Sequence, residues 1–294
     1  MCELFAISAR HSVWVGEALR EFFADSRDHP HGWGLSLESG RHTLIHKEPV
    51  RAIDSTRLAA LLDRPISTRR LVAHIRKATR GAMAYENCHP FVGHDVTGRC
   101  WVLAHNGTML DDTLIRGADE RAKGETDSER VLLHLLDRVD HATGEKGAPL
   151  DADERTRLMA EVVEELAPHN KLNLVVDDGE CIFAHTNTSS HTLFVQEGRS
   201  CVTLCTRPLG DGRGWEPVER CALVVFAEGR LSSTHPVAGQ TIDEDLYLKA
   251  IAGEASTYLG PLRRTIPRGI VGAPKKDACA PAHGFWDARD ARGL

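Results

Sequence analysis

Short apolar or alternating runs recur along the chain and predict strands, while apolar residues at helical spacing predict helices between them. Ten strands are predicted, over residues 2–9, 33–38, 42–46, 70–75, 100–105, 172–176, 180–184, 192–196, 201–206 and 221–226. Helices are predicted over 126–139 and 152–167, with weaker patterns over 11–24 and 54–63. Many strands with helices gathered in blocks favour antiparallel sheets covered by helices, an α+β layered fold, over a regular parallel winding.

The apolar pattern thins after about residue 231. The last stretch, PRGIVGAPKKDACAPAHGFWDARDARGL, is rich in glycine, proline and charge. We therefore expect one main domain over residues 2–230 and a partly irregular C-terminal extension over residues 231–294.

Charge and composition narrow the classes of partner. The 294 residues include 36 basic and 42 acidic side chains, a formal net charge of -6, without a basic block. We therefore expect a small polar substrate, with no nucleic acid and no membrane as partner. The chain lacks an apolar run of roughly 20 residues and a signal-peptide pattern, which favours a cytoplasmic protein whose eight cysteines are free thiols.

Metal and cofactor motifs are absent from the sequence. The sixteen histidines invite a metal hypothesis, but the chain has no HExxH motif and no CxxC pair. It also lacks the glycine-rich loops that bind nucleotide phosphates. We expect neither a metal nor a cofactor.

The chain begins MCELF, with a cysteine directly behind the initiator methionine. A small residue at position 2 normally lets the methionine be trimmed, which would leave Cys2 with a thiol and a free α-amine. The thiol has an ordinary pKa of about 8.5 and the amine one of about 7.7 to 8.0, so the amine can accept the thiol proton. Nucleophile and base would then belong to one residue.

Two further positions allow both a structural and a chemical interpretation. Arg76, just past an apolar strand, is placed to clamp a carboxylate with two hydrogen bonds, although a solvated arginine at a strand end is the simpler interpretation. Asn106 and Gly107 follow another strand, where Asn-Gly predicts a tight hairpin turn. The Asn106 amide and the Gly107 N–H also suit an oxyanion hole, and the two interpretations do not exclude each other.

The segment GETDSERVLLHLL begins a predicted helix. Thr126 and Glu129 predict a capping box, and Asp127 in the first turn suits the helix dipole. The chemical interpretation is that Asp127 receives a substrate ammonium group.

The order of these segments carries more information than any one of them. Cys2 is followed along the chain by GWG, HIRKAT, N-x-HPF, HNG and TDSE. This series resembles the class II glutamine amidotransferases, members of the N-terminal nucleophile hydrolases. The stretches MCEL, DGECIFAHT and TRPLGDGRGWEPV resemble the compact, stand-alone branch of that family and extend the resemblance through roughly residues 2–230.

The resemblance implies a fold and a catalytic set. The fold would be a four-layer α-β-β-α sandwich of two stacked, largely antiparallel sheets, with residues 2–230 as the amidotransferase domain. Cys2 would be the nucleophile and its own α-amine the general base. Asn106 and Gly107 would form the oxyanion hole.

The resemblance also implies the substrate contacts. Arg76 would bind the substrate α-carboxylate and Asp127 the α-ammonium, while Thr79 and His89 would belong to the pocket wall.

The chain departs from the family at Lys77 and Arg80, where large synthases tend to carry tryptophan and histidine. It also departs at His31, where compact relatives often have an acid, so the pocket mouth is expected to differ.

The implied reaction is hydrolysis of the side-chain amide of glutamine to glutamate and ammonia through a γ-glutamyl thioester. The protein would act as a stand-alone glutaminase or as a subunit that supplies an ammonia-accepting synthase. An alternative substrate is a γ-glutamyl amide in a small metabolite, as for a relative in ergothioneine synthesis. An alternative of another class is a non-catalytic glutamine-binding or regulatory protein, since retained Met1 would block the amine of Cys2.

Overall fold

The computed structural model describes residues 2–79, 81–238, 241–251 and 271–272. Its strands, in chain order, are β1 (Glu3–Trp14), β2 (Trp33–Ser39), β3 (His42–Glu48), β4 (Ser67–Ile75), β5 (Phe91–His94), β6 (Cys100–His105), β7 (Leu174–Asp177), β8 (Cys181–His185), β9 (Phe194–Glu197), β10 (Cys201–Cys205), β11 (Trp215–Pro217), β12 (Ala222–Ala227), β13 (Arg230–Pro236), β14 (Thr241–Ile242) and β15 (Val271–Gly272). The α-helices are α1 (Gly16–Ala24), α2 (Thr56–Leu62), α3 (Asp127–Lys146), α4 (Ala152–Leu166) and α5 (Glu244–Ile251). All ten predicted strands overlap observed strands.

Two antiparallel sheets lie face to face at the centre of the fold. The seven-stranded sheet has the order β11-β9-β10-β1-β4-β2-β3, and the six-stranded sheet has the order β13-β12-β8-β7-β6-β5. Buried side chains from both sheets, including Leu4, Ala6, Val102 and Val175, form one core between them. This inner core excludes water from both facing surfaces.

Helices cover the two outer faces of the sandwich. Leu19 of α1 and Leu58 of α2 belong to a core on the seven-stranded sheet. Leu135 of α3 and Val162 of α4 belong to a core on the six-stranded sheet. The predicted α-β-β-α sandwich is thereby confirmed.

Strand register brings distant parts of the chain to one edge. Glu3 pairs with Ile75 at the end of β4, and Ile75 also pairs with Trp33 at the start of β2. In the other sheet, His105 at the end of β6 pairs with Leu174 at the start of β7. The residues that follow or precede these strand ends form the site described below.

The predicted helix over 11–24 is wrong in its first part. Strand β1 continues through Trp14, with Val13 opposite Thr68 and Trp14 opposite Ser67 beyond a bulge, and α1 begins only at Gly16. Pairing with a distant strand decides this segment, and local spacing cannot reveal such pairing. Helix α3 continues past the predicted end at residue 139 to Lys146, where Gly147 with φ 72 terminates it.

The sequence pattern did not predict the short or polar strands. Strand β5 has four residues, and β13 is a largely exposed edge strand that pairs only with β12 in its sheet. The domain boundary predicted after residue 230 falls at the first residue of β13. It stays a prediction, because residues 252–270 and 273–294 of the proposed extension lie outside the described residues.

Two properties of the described residues concern the cellular setting. None of their helices has both the length and the apolar character needed to cross a bilayer. Their seven cysteines are all free thiols, as predicted. The cytoplasmic location itself stays a prediction.

Candidate active site

A small cavity at the edge of the sandwich collects most of the predicted site residues. Its volume is about 30 Å³, and its lining consists of Cys2, Arg76, Lys77, Ala78, Thr79, His89, His105, Gly107, Thr126, Asp127 and Ser128. Of the predicted residues only Asn106, which is 5% exposed beside Gly107, is not part of this lining. A wider cleft of about 840 Å³ at the other end of the sandwich contains none of them.

Cys2 stands directly before β1, the strand between β10 and β4 in the seven-stranded sheet. Its Sγ accepts a hydrogen bond from the Lys77 N–H at 3.3 Å and lies 3.5 Å from the Lys77 carbonyl oxygen. Burial raises the pKa of the Cys2 thiol, and the Lys77 N–H and the positive charge of Arg76 oppose that rise. The thiol therefore needs a base before it can act as a nucleophile.

Arg76 follows β4 and is 2% exposed, so the interpretation as a solvated strand-end arginine is wrong. Its guanidinium donates to the backbone carbonyls of Ala82 at 2.9 Å, Gly81 at 3.1 Å and His31 at 3.5 Å. The loop after β4 thus folds back over the guanidinium. The guanidinium has the planar fork that a carboxylate fits, and in this structure backbone carbonyls accept from it.

Asn106 and Gly107 do not form the predicted hairpin turn. Strand β6 already pairs with β5 and β7 on its two sides, and neither residue has the positive φ that this turn requires. The Asn106 N–H instead donates to the Asn173 carbonyl at 2.8 Å. A Cβ at position 107 would lie 1.9 Å from the Lys171 carbonyl oxygen, so close backbone packing requires the glycine.

Asp127 begins α3 and is 9% exposed. One carboxylate oxygen, Oδ2, accepts the Met109 N–H at 2.7 Å, and Oδ1 accepts from the Ser128 hydroxyl at 3.3 Å. These bonds fix the carboxylate at the cavity wall, where its negative charge suits an ammonium group.

The predicted capping box at this helix is only half formed. Thr126 Oγ1 accepts the Glu129 N–H at 3.4 Å. The Glu129 carboxylate does not return to the backbone of Thr126, because it accepts the N–H groups of Lys123 at 3.0 Å and Gly124 at 2.7 Å. Glu129 therefore orders the loop before the helix.

His89 lies in a stack of buried side chains beneath the cavity. It precedes a cis peptide to Pro90, and its ring centroid lies 4.1 Å from that of His74. Its Nδ1 accepts the His105 N–H at 3.2 Å. A Cβ on Gly34 of the GWG motif would lie 1.9 Å from the His89 carbonyl oxygen, which explains the glycine there.

Burial disfavours the charged form of the histidines at the site. Burial lowers the pKa values of His74 and His89 well below 6.5, and it also lowers that of His105. Arg76 adds to the lowering at His74 and His89. The positive charge at the cavity wall therefore comes from Arg76 and Lys77, not from these rings.

Several contributing residues were not singled out from the sequence. His105 joins Ser128 Oγ at 3.1 Å to the Lys171 carbonyl at 3.0 Å. Glu125 joins two loops, because its N–H donates to Asn87 Oδ1 at 2.7 Å and its carboxylate accepts the Ala82 N–H at 2.7 Å. His105 and Asn87 belong to the HNG and N-x-HPF motifs, which were the available signal.

Metal binding finds no support in the described part of the chain, where no three His, Cys, Asp or Glu side chains are placed to share an ion.

Thr79 completes the cavity wall, with its Oγ1 3.3 Å from that of Thr108.

The first two thirds of the chain match a known protein family. Residues 1–198 match the family model described as glutamine amidotransferases class-II. The chain belongs to this family. This class II amidotransferase is therefore an enzyme that acts on the amide of glutamine, as the sequence motifs predicted.

Individual relatives carry the same family name. The Escherichia coli (strain K12) protein with the name "Putative glutamine amidotransferase YafJ" is 31% identical over 198 residues, which cover 65% of this chain and 75% of YafJ. A Haemophilus influenzae protein named in the same way is 24% identical over 254 residues, which cover 78% of this chain and 85% of the relative.

Solved structures share the fold of this class II amidotransferase. A predicted glutamine amidotransferase from Pseudomonas aeruginosa PA01 has a TM-score of 0.57 and 21% identity, covering 79% of this chain and 100% of the other. The glutamine phosphoribosylpyrophosphate amidotransferase of B. subtilis has a TM-score of 0.62 and 15% identity, covering 81% of this chain and 50% of the other. These likenesses concern the sandwich fold.

Proposed function

We propose that this protein hydrolyses the side-chain amide of L-glutamine to glutamate and ammonia, with Cys2 as nucleophile. Removal of Met1 would free the α-amine of Cys2. The observation that carries the proposal is the single cavity that holds the Cys2 thiol, the Arg76 guanidinium, Gly107 and the Asp127 carboxylate. The wider cleft at the other end of the sandwich also has a thiol, that of Cys100, and charges of both signs, but Cys100 lies within the chain and has no α-amine to act as its base.

The proposed reaction has two halves. The α-amine takes the thiol proton, the thiolate attacks the amide carbon, and the C–N bond breaks as the amine returns the proton to the departing ammonia. Water then attacks the γ-glutamyl thioester, and glutamate leaves as the Cys2 thiol is restored. The oxyanion of each tetrahedral intermediate would accept the Gly107 N–H and the Asn106 amide.

Substrate binding requires the loop after β4 to move. The cavity of about 30 Å³ has room for about two water molecules, less than a glutamine molecule needs. The carbonyls of Gly81 and Ala82 occupy the Arg76 donors that a substrate carboxylate would use. Outward movement of Gly81 and Ala82 would open the cavity and release those donors together.

The test is turnover by protein whose intact mass shows that Met1 is gone. We expect release of equal amounts of glutamate and ammonia from L-glutamine, and no release by the Cys2→Ala variant. Turnover that survives this substitution would contradict the proposal.

The same preparation separates the remaining alternatives. Turnover of γ-glutamyl amides of larger amines, without turnover of glutamine, would identify a metabolite hydrolase. Glutamine binding without any turnover would identify a binding or regulatory protein. Transfer of ammonia to a separate synthase is a further proposal, and it predicts that the synthase accelerates glutamine hydrolysis.

A further inference from the structure

A buried lysine lies behind the proposed oxyanion hole. Lys171, in the loop between α4 and β7, is 1% exposed. Its carbonyl oxygen accepts from His105 Nε2 at 3.0 Å and packs against the Cα of Gly107, as the distance of 1.9 Å to an added Cβ demonstrates. Thr108 and Lys171 also form an isolated β-bridge. The position of the Gly107 backbone therefore depends on that of residue 171.

The side chain of Lys171 contacts residues from the C-terminal part of the chain. Its ammonium donates to Glu244 Oε1 at 2.5 Å and lies 5.3 Å from the ring centroid of Tyr247. Both partners belong to α5, Glu244 is 9% exposed, and its other oxygen accepts from the Ser190 hydroxyl. Glu244 and Tyr247 lie beyond residues 1–198, which match the family model.

Stability alone is a weak reason for this arrangement. Removing two opposite charges from water costs about as much as their attraction returns, so an apolar pair would stabilise the fold equally well. A charged pair with defined bond geometry can instead fix the position of the two segments that carry the charges relative to each other. The group attached to Lys171 is the backbone against Gly107.

We propose that Glu244 is a positioning residue for the reaction, acting through Lys171 to hold the Gly107 N–H at the oxyanion hole. The inference rests on the hydrolase function proposed above and makes α5 part of the catalytic unit. Glu244 is not part of the cavity lining, so its effect belongs to the rate of the chemical step and not to glutamine binding.

The segment around α5 has other attachments that leave Glu244 open to substitution. The Ser189 N–H donates to the Ile242 carbonyl and the Ile242 N–H donates to the Asn187 carbonyl, each at 2.7 Å. These backbone bonds do not involve the Glu244 carboxylate. Loss of that charge therefore changes the ion pair without removing the contacts that dock the segment.

The experiment compares Glu244→Gln with Asp245→Asn in the full chain after removal of Met1. Asp245 is the matched control, because it is an exposed acid in the same helical turn. We expect Glu244→Gln to lower kcat for glutamine by about 10-fold to 100-fold, since a misplacement of about 1 Å can cost on the order of 10²-fold. KM should change by less than about threefold, and the control should keep the wild-type kcat.

Two further measurements distinguish positioning from general damage. Alkylation of Cys2 by iodoacetamide forms no oxyanion, so its rate in Glu244→Gln should change much less than kcat, although the Lys171 charge also acts on Cys2. Glu244→Asp keeps the charge and should recover part of the lost kcat. Equal losses of alkylation rate and kcat, or no recovery by aspartate, would indicate a structural role only and overturn the inference.

A second variant covers the case in which Glu244→Gln does not fold. The double substitution Lys171→Met with Glu244→Leu leaves no unpaired charge, and we expect it to fold with kcat still lowered at least 10-fold. Wild-type kcat in this variant or in Glu244→Gln overturns the inference alone. A wild-type protein without turnover overturns the proposed function, and the inference with it.

Discussion

At the scale of single residues, Gly107 is constrained more tightly than a turn residue would be. An added Cβ would lie 1.9 Å from the Lys171 carbonyl oxygen and 2.2 Å from His105 Nε2. Neither neighbour is the free end of a flexible chain. The backbone must therefore shift if the position carries any side chain.

We expect Gly107→Ala to lower the free energy of unfolding by about 2 kcal/mol or more, because overpacking forces the backbone apart. Urea unfolding would measure the loss. Gly144→Ala is the matched control, since Gly144 lies within α3 with nothing within 4 Å of an added Cβ. That change should stabilise the protein by about 0.5 to 1 kcal/mol; equal effects at the two positions would contradict the packing argument.

Arg76 gives a second residue-scale prediction. Arg76→Ala should raise KM for glutamine by about 10-fold to 100-fold, because charge-assisted bonds to the substrate carboxylate are lost. Arg76→Lys should keep KM high, since an ammonium cannot make the paired bonds of a guanidinium. Arg69→Ala, at the other end of β4 where the side chain pairs with Glu38, is the control and should leave KM unchanged. An unchanged KM in Arg76→Ala would remove the residue from substrate binding.

At the scale of elements, α3 and α4 begin with similar caps but in different surroundings. Asp151 Oδ1 accepts the Glu154 N–H at 2.9 Å and Glu154 returns a bond to the Asp151 N–H at 2.7 Å, a complete capping box on the surface. Thr126 caps α3 at the cavity wall without the returning bond. The Asp151 cap stabilises α4 alone, whereas the Thr126 cap stabilises α3 and also positions Asp127.

We expect Thr126→Ala and Asp151→Ala each to lower the free energy of unfolding by about 1 kcal/mol. Only Thr126→Ala should also raise KM for glutamine, because the first turn of α3 carries the proposed ammonium ligand. Urea unfolding and steady-state kinetics on both variants would check this. A rise in KM in Asp151→Ala would mean that helix stability in general, and not the placement of Asp127, controls binding.

Sequence patterns predicted the elements well where the signal is local. The runs around Leu103, Val175 and Val225 are buried on both faces of their sheet and are apolar for that reason. The pattern failed where pairing decides the structure. Trp14 extends β1 because Ser67 lies opposite it, and Asn106-Gly107 is no hairpin because β6 already has a neighbour on each side.

At the scale of the whole molecule, buried histidines make stability depend on pH. Burial lowers the pKa of His185 from 6.5 to about 4, and the pKa values of His74, His89 and His105 are also lowered. Between about pH 6.5 and 4 the unfolded chain binds more protons at these groups than the folded one. Stability is therefore present above pH 6.5 and is lost as the pH falls through this window.

We expect the free energy of unfolding to fall by up to about 1.4 kcal/mol per pH unit for each such histidine below pH 6.5. Urea unfolding at pH 7, 6 and 5 would measure the slope. His185→Asn keeps a donor for the Ala222 carbonyl, which His185 Nδ1 contacts at 2.9 Å, and removes one titrating group. The slope of this variant should correspond to the uptake of up to one proton fewer on unfolding. An unchanged slope would contradict the conclusion that His185 contributes to the pH dependence.

The site was predictable only as a set of motifs. In the sequence, Arg76, Asn106 and Asp127 each also allow a purely structural explanation, and only the order of the motifs favours the chemical interpretation. Lys171 and Glu244 carry no motif, and 73 positions separate them along the chain. Their contact follows from tertiary docking, which neither periodicity nor spacing reveals.

The central position of β1 also bears on how the protein is made. Cys2 leads into a strand whose two partners are β4, ending at Ile75, and β10, ending at Cys205. The sheet cannot close on both sides of β1 until the ribosome has released β10, about 10 to 40 s after synthesis begins at 5 to 20 residues per second. During that interval the beginning of the chain lacks its second partner strand and is open to an aminopeptidase. Maturation of the nucleophile can therefore begin during translation, before both sides of β1 are paired.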